Sequence, residues 1–167
     1  REAGANVATL PGDLRDAEYC RTLVAEAVGA LGGLDILVNN GGKQIYQESL
    51  GDITDEQFDD TFKTNVYAMF WITKAALPHL PAGSSIINTT SIQAYSPSGM
   101  LVDYASTKAT INAFMKGLAV GREIQFGSTT KFQCDAPCLG YSYRTKAPVS
   151  NPHRKPRASR AGRANLH

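Results

Sequence analysis

Two short β-branched runs, set apart by long helical stretches, constrain the fold of this chain more than any other feature. Leu34-Asp35-Ile36-Leu37-Val38 and Ser85-Ile86-Ile87-Asn88-Thr89-Thr90-Ser91 each have the length and composition of a strand buried in a parallel sheet. A third short run, residues 6–10, also reads as a strand and ends at Pro11-Gly12-Asp13-Leu14. The stretches between them have helical period. Asp16 is placed to cap a helix running to about Leu31, with Tyr19, Leu23, Ala27 and Leu31 along one face and Gly32-Gly33 as its stop. Thr54 and Gln57 form a capping-box pattern at the head of a long helix. Phe58, Phe62, Val66, Phe70 and Leu77 supply its predicted core face up to Pro78. A third helix is predicted from about Leu101 to Leu118. Strands that alternate with helices of this length build βαβ units, and the fold class expected is α/β with a doubly wound parallel sheet.

The chain has 167 residues, enough for one domain plus an extra segment. Charge divides it. Residues 1–130 hold nine Lys/Arg against fourteen Asp/Glu, whereas residues 131–167 hold eight against one, together with four of the eight prolines. Periodicity fails after about Arg122, which predicts an organised region over 1–125 and an irregular, disordered basic tail over 126–167. A shifted reading frame is one origin for such a tail. Aromatic residues are not interleaved with its basic ones beyond Tyr143, so no nucleic-acid partner is expected. No run of eighteen apolar residues and no signal-peptide pattern occurs, so no membrane association and a cytoplasmic location are expected. Cys20, Cys134 and Cys138 have neither disulfide-framework nor metal-knuckle spacing, and no metal site is expected.

Tyr104 and Lys108 stand four residues apart, on one face of the third predicted helix. A phenol titrates near pH ~10, and a neighbouring ammonium favours the phenolate and lowers that value. The pair therefore suits general acid/base work. Ser91 lies at the C-terminal end of a predicted buried strand, where open α/β sheets bind ligands, and its hydroxyl can donate to a carbonyl. Asn65 falls inside the long helix between Phe62, Val66 and Met69, which predicts partial burial and a need for partners such as a bound water.

Taken in order, Asn39-Asn40-Gly41-Gly42, Thr64-Asn65-Val66, Ser91 thirteen residues before the tyrosine, and Tyr104-Ala105-Ser106-Thr107-Lys108 resemble the short-chain dehydrogenase/reductase family. The resemblance covers residues 1 to about 120, and the surroundings of Lys43-Gln44, Phe62-Lys63 and residues 89–95 are similar to a bacterial general-stress-type oxidoreductase branch. It implies an NAD(P)-dependent oxidoreductase acting on a small carbonyl or alcohol substrate, with NAD or NADP as cofactor and a homo-oligomeric assembly. It further implies that Tyr104 is the acid/base, and that Lys108 lowers its pKa and binds the nicotinamide ribose. Ser91 then orients the substrate oxygen, and Asn65 holds a water in the proton relay. Asp13 and Leu14 match the segment at the adenine ring, and Asn40, Gly41 and Gly42 the segment packed beside the cofactor. The family usually has alanine at the place of Gly41.

The family's glycine-rich strand–turn–helix, whose helix N-terminus holds the pyrophosphate, does not occur in this sequence. A partial Rossmann-like sheet lacking the first βαβ unit is the expectation, and the chain reads as a fragment. Ala136-Pro137-Cys138-Leu139-Gly140 only faintly resembles the family's later Pro-Gly loop, and no apolar strand is predicted before it. A catalytically inactive or partner-binding fragment is accordingly the alternative to an enzyme.

Overall fold

The computed structural model describes residues 4–120, 129–133 and 142–144. Helix α1 (Ala17–Leu31) starts where predicted: the Asp16 carboxylate accepts from the backbone N–H groups of Glu18 and Tyr19. It ends at Gly32, whose φ of 83° lets its N–H turn back to the Val28 carbonyl at 2.9 Å. Strand β1 (Ile36–Asn39) pairs in parallel with β2 (Ser85–Thr89), Leu37 opposite Ile86 and Asn39 opposite Asn88.

Between the two strands runs one helical path in pieces: α2 (Asp55–Phe62), a π-helical turn over Lys63–Tyr67, α3 (Ala68–Ala76) and a final 3-10 turn over Leu77–His79. A 3-10 turn over Ile92–Ala94 precedes α4 (Val102–Val120), close to the predicted span. The α/β class with a parallel, partial Rossmann-like sheet is thus what the chain adopts.

Helices α1 and α3 cover one face of the sheet. Val24, Ala76, Leu80 and Ile86 form its buried centre, with Val28, Leu37 and Ile72 packed against them, and Met69, Ile111 and Met115 join α3 to α4. The other face of β1 is bare: Ile36 and Val38 are 60% and 55% exposed, so β1 is not the fully buried strand its composition predicts. Its alternating burial is that of a strand covered on one side only.

Further expectations are corrected. Residues 6–10 form no strand, because among the described residues β1 is bonded only to β2 and a cavity of about 420 Å³ separates it from Ala8 and Leu10. An extended segment without a ladder neighbour is not a strand. The stretch is held instead by the Tyr19 hydroxyl, which donates to the Leu10 carbonyl at 2.6 Å. Tyr19 lies so close over Gly12 that a side chain there collides with its ring. Leu23 and Ala27 line that cavity, and α1 buries Cys20 and Val24 instead, one position round the helix from the predicted face. Cys20 donates to the Leu14 carbonyl, and burial pushes its thiol pKa up; Cys134 and Cys138 lie outside the described residues.

On the long helical path, Phe58 and Phe70 are exposed, and the buried face is Thr61, Asn65, Ala68, Met69, Thr73 and Ala76. Small and polar side chains let α3 approach α1 and let α2 and the π-helical turn approach α4, while the aromatic residues pair along the outside: Phe58 with Phe62, Tyr67 with Trp71, and Phe70 with Phe114 on α4.

The region expected to be an irregular tail contains two strands. Thr129–Gln133 (β3) pairs in parallel with β2, and Ser142–Arg144 (β4) pairs antiparallel with β3. β-Branched and aromatic residues over 129–133 suit a strand, and the free edge of β2 supplies its partner. The rest of the expected tail, with residues 136–140, lies outside the described residues.

Candidate active site

Four side chains singled out in the sequence converge, buried, at the carboxyl end of β2. Asn65, Ser91, Tyr104 and Lys108 are 2%, 5%, 7% and 4% exposed. Lys108 reaches under the end of the strand, where its ammonium donates to the Thr89 carbonyl at 2.9 Å. That ammonium lies 5.4 Å from the centre of the Tyr104 ring. Thr90 fixes the helix from the strand side, donating to the Lys108 carbonyl.

Asn65 sits within the π-helical turn, a widened turn that inserts one extra residue and is frequent at functional sites. Its side chain clamps the loop after β1. Oδ1 accepts from the Lys43 N–H at 2.6 Å, and Nδ2 donates to the Lys43 carbonyl at 2.9 Å and to Thr107 Oγ1 at 3.0 Å. Both amide hydrogens are committed to protein groups, and only the second lone pair of Oδ1 remains for a water. Partial burial was legible from the neighbours of Asn65. Its partners were not, because they arrive from residues 22 and 42 positions away.

Ser91 caps the 3-10 turn that packs against α4, and its Oγ accepts from the Gln93 N–H at 3.3 Å, which leaves its own proton to give. Asn40 is tied to β2, its Oδ1 accepting from Thr89 Oγ1 at 2.6 Å. Gly42 lies beside both Asn65 and Lys108: a methyl there meets Asn65 Oδ1 at 3.7 Å and Lys108 Nζ at 3.9 Å. Gly41 faces Leu14, whose Cδ1 stands 2.5 Å from where a methyl would project, so alanine needs that flexible side chain to turn. Beneath Asn40 and Gly41 lies the apolar cavity lined by Leu10, Leu14 and Leu37.

Asp13 is exposed and already engaged. The Arg15 guanidinium grips both of its oxygens, from 2.8 to 3.1 Å, and hydrogen bonds from Arg15 lower its pKa to about 2. Arg15 and Lys43 both reach Asp60 on α2, at 3.0 and 3.1 Å. Hydrogen bonding to Lys43 holds the Asp60 pKa below the ordinary range, and the Asp13 and Asp60 carboxylates raise that of Arg15. The structure therefore brings Leu14 to the loop side of the cavity, leaves Asp13 beside it at the surface, and brings Asn65, Ser91, Tyr104 and Lys108 to the end of β2.

Sequence reasoning missed the residues that brace this group. Thr107, inside the quoted motif, donates to the Tyr104 carbonyl at 2.6 Å, and Asp103, immediately before it, is wholly buried. A buried charge flanking a functional tyrosine was a usable signal for Asp103 only once burial was known.

The model of the short chain dehydrogenase family matches residues 1–125. The chain belongs to that family. It is 53% identical over 118 residues to the uncharacterized oxidoreductase YghA of Escherichia coli, covering 71% of this chain and 40% of that protein. General stress protein 39 of Bacillus subtilis is 48% identical over 118 residues, at 71% and 41% coverage, in line with the branch the sequence resembles. Among solved structures, a short chain dehydrogenase from Burkholderia cenocepacia in complex with NADP superposes with a TM-score of 0.68. It is 35% identical, over 74% of this chain and 50% of that one. The chain thus spans about two fifths of the length of these curated relatives. No helix among the described residues is long and apolar enough to cross a membrane.

Proposed function

We propose that this chain supplies the proton-transfer half of an NAD(P)-dependent oxidoreductase acting on a small carbonyl or alcohol. The observation that carries this reading is the buried Lys108 ammonium, anchored on Thr89 and facing the Tyr104 ring at 5.4 Å. In the reductive direction the Tyr104 hydroxyl gives its proton to the carbonyl oxygen, which Ser91 polarises with the proton its cap leaves uncommitted. Lys108 stabilises the phenolate left behind, and a water held on the spare lone pair of Asn65 Oδ1 returns a proton towards Lys108.

The residues present fit the nicotinamide end of a dinucleotide. Gly42 leaves open the space beside Asn65 and Lys108, which lets a ring and ribose approach the backbone, and Asn40, Gly41 and Leu14 continue that wall over an apolar floor. When bound, the nicotinamide supplies or takes the hydride. Asp13 is offered to the adenine end through Arg15.

Residues 1–125 form the working unit of this reading, with a small molecule as the substrate and a cytoplasmic setting. A homo-oligomer fits the half-exposed aromatic strip of Tyr67 and Phe70, which spans α3 and meets Phe114 of α4. β1 ends the sheet order among the described residues, and that edge favours a second reading, a fragment without activity that binds a partner strand.

Fluorescence titration of NADH and NADPH against the purified chain, followed by turnover of an aldehyde and ketone panel, decides between them. Binding is expected, and Tyr104→Phe is expected to reduce turnover by roughly 10²–10⁴-fold with cofactor binding retained. Turnover that survives Tyr104→Phe refutes the acid/base assignment, and absence of binding favours the partner-binding fragment.

A further inference from the structure

Asp103 is buried to 0% exposure in the first turn of α4, and no lysine or arginine among the described residues forms an ion pair with it. Burying a carboxylate without a counter-ion is costly unless hydrogen bonds replace its water. Here they do. Oδ1 accepts from the Tyr104 N–H at 2.7 Å, while Oδ2 accepts from Gln57 Nε2 at 3.1 Å and lies 2.9 Å from Thr61 Oγ1.

Gln57 is the more telling partner. Its spacing from Thr54 predicts a capping box, and half of one forms: Thr54 Oγ1 accepts from the Gln57 N–H at 3.1 Å. The Gln57 side chain does not complete it, and instead donates to Asp103 while accepting from Gln47 Nε2 at 2.6 Å. Gln47 in turn donates through its backbone N–H to the Met100 carbonyl, just before α4. A loop, a helix and the approach to α4 are thereby joined to one carboxylate.

The Tyr104 peptide is held from both sides. Asp103 accepts its N–H, and Thr107, itself held by Asn65, donates to its carbonyl. Both braces are anchored on the same helical path, Asp103 through Gln57 and Thr61 of α2 and Thr107 through Asn65 of the π-helical turn. Such an arrangement fixes the rotation of α4 about its own axis at the residue where rotation matters most.

We propose that Asp103 is a positioning residue, anchored by Gln57, that holds Tyr104 at the distance from Lys108 at which the ammonium acts on the phenol. The proposal rests on the acid/base reading of Tyr104. Lys108 and Asp103 are the charges that α4 brings to this tyrosine. Lys43, Asp59, Asp60 and Lys63 on the facing loop and helical path pair among themselves and with Arg15, and stay unchanged in the variants below.

Two effects of removing Asp103 have opposite sign, which makes the test sharp. Loss of a nearby negative charge lowers the titration midpoint of Tyr104; loss of its place beside Lys108 raises it. The whole chain, labelled with ¹³Cζ-tyrosine, is titrated by NMR, and the Tyr104 signal is assigned by its disappearance in Tyr104→Phe. Asp103→Asn is expected to move the midpoint up by about one unit, a tenfold loss of phenolate at a given pH. Gln57→Met, which leaves the carboxylate in place, is expected to move it in the same direction by a smaller amount, and it alone carries the test if Asp103→Asn fails to fold in a thermal melt. Midpoints that fall or stay put overturn the proposal. Since the midpoint is read without turnover, this result is distinct from the fate of Tyr104→Phe in the aldehyde assay, which judges only the acid/base reading.

Discussion

Along the carboxyl ends of β1 and β2 the same polypeptide packs in two ways. Around α4, polar side chains are buried and bound to one another: Asn65 to Lys43 and Thr107, Lys108 to Thr89, Asp103 to Gln57 and Thr61. Around the outer face of β1, apolar side chains meet solvent, and the segment carrying Leu10 and Leu14 stands off across a cavity. The contrast separates two tasks. The proposed proton transfer needs groups held in place, and the buried hydrogen bonds around α4 hold them. A dinucleotide needs a long cradle; in the proposed reading the loop after β1 meets its nicotinamide end and Asp13 its adenine end.

The braced side is where a single substitution does most damage. Asn65→Leu keeps volume but orphans the Lys43 N–H and carbonyl, at about 1–3 kcal/mol for each group left unpaired, and leaves Thr107 Oγ1 only its bond to the Tyr104 carbonyl. A loss on the order of 3 kcal/mol in urea-denaturation midpoints is expected after partial relaxation. A loss under about 0.5 kcal/mol, the ordinary surface value, would show that the loop after β1 is not held by this side chain.

The open side should respond in the opposite sense. Val38→Lys places a charge on an exposed face, so stability is expected to change by less than about 0.5 kcal/mol. What should fall is self-association, because charge on a bare edge strand blocks pairing with another copy. Light scattering of both proteins measures this. Association that persists unchanged in Val38→Lys points instead to the aromatic strip of Tyr67 and Phe70 as the contact.

Much of this division was legible in the residues. The β-branched runs placed β1 and β2, Asp16 and Gly32 marked the ends of α1, and the four-residue step from Tyr104 to Lys108 put both on one face. These are local signals, written in spacing and caps. What escaped was set by neighbours far along the chain. Phe58 and Phe70 have core spacing yet face outward, because α3 turns Thr73 and Ala76 towards the sheet and α1, and Met69 towards Ile111 and Met115. β3 became a strand because β2 offered an edge, and residues 6–10 did not, because no strand among the described residues lies beside them.

The smallest effect concerns Asp13, at the junction of the two regions. Its pKa is lowered to about 2, first by the side-chain hydrogen bonds from Arg15. A carboxylate depressed on folding adds stability that is complete above its unfolded value, ~3.9, and is lost as pH falls through the folded value. The contribution of the Asp13–Arg15 pair is therefore constant at neutral pH and disappears between about pH 4 and 2. Both side chains are about half exposed, so water and salt screen the pair and the change in stability is slight. The titration itself is the better reading. Carboxyl-carbon NMR should place the Asp13 midpoint near 2, and Arg15→Gln should return it towards the ordinary aspartate value. If the midpoint does not move, the grip of Arg15 is not what prepares Asp13, and the loop side of the site is even less organised than its contacts with Asp60 imply.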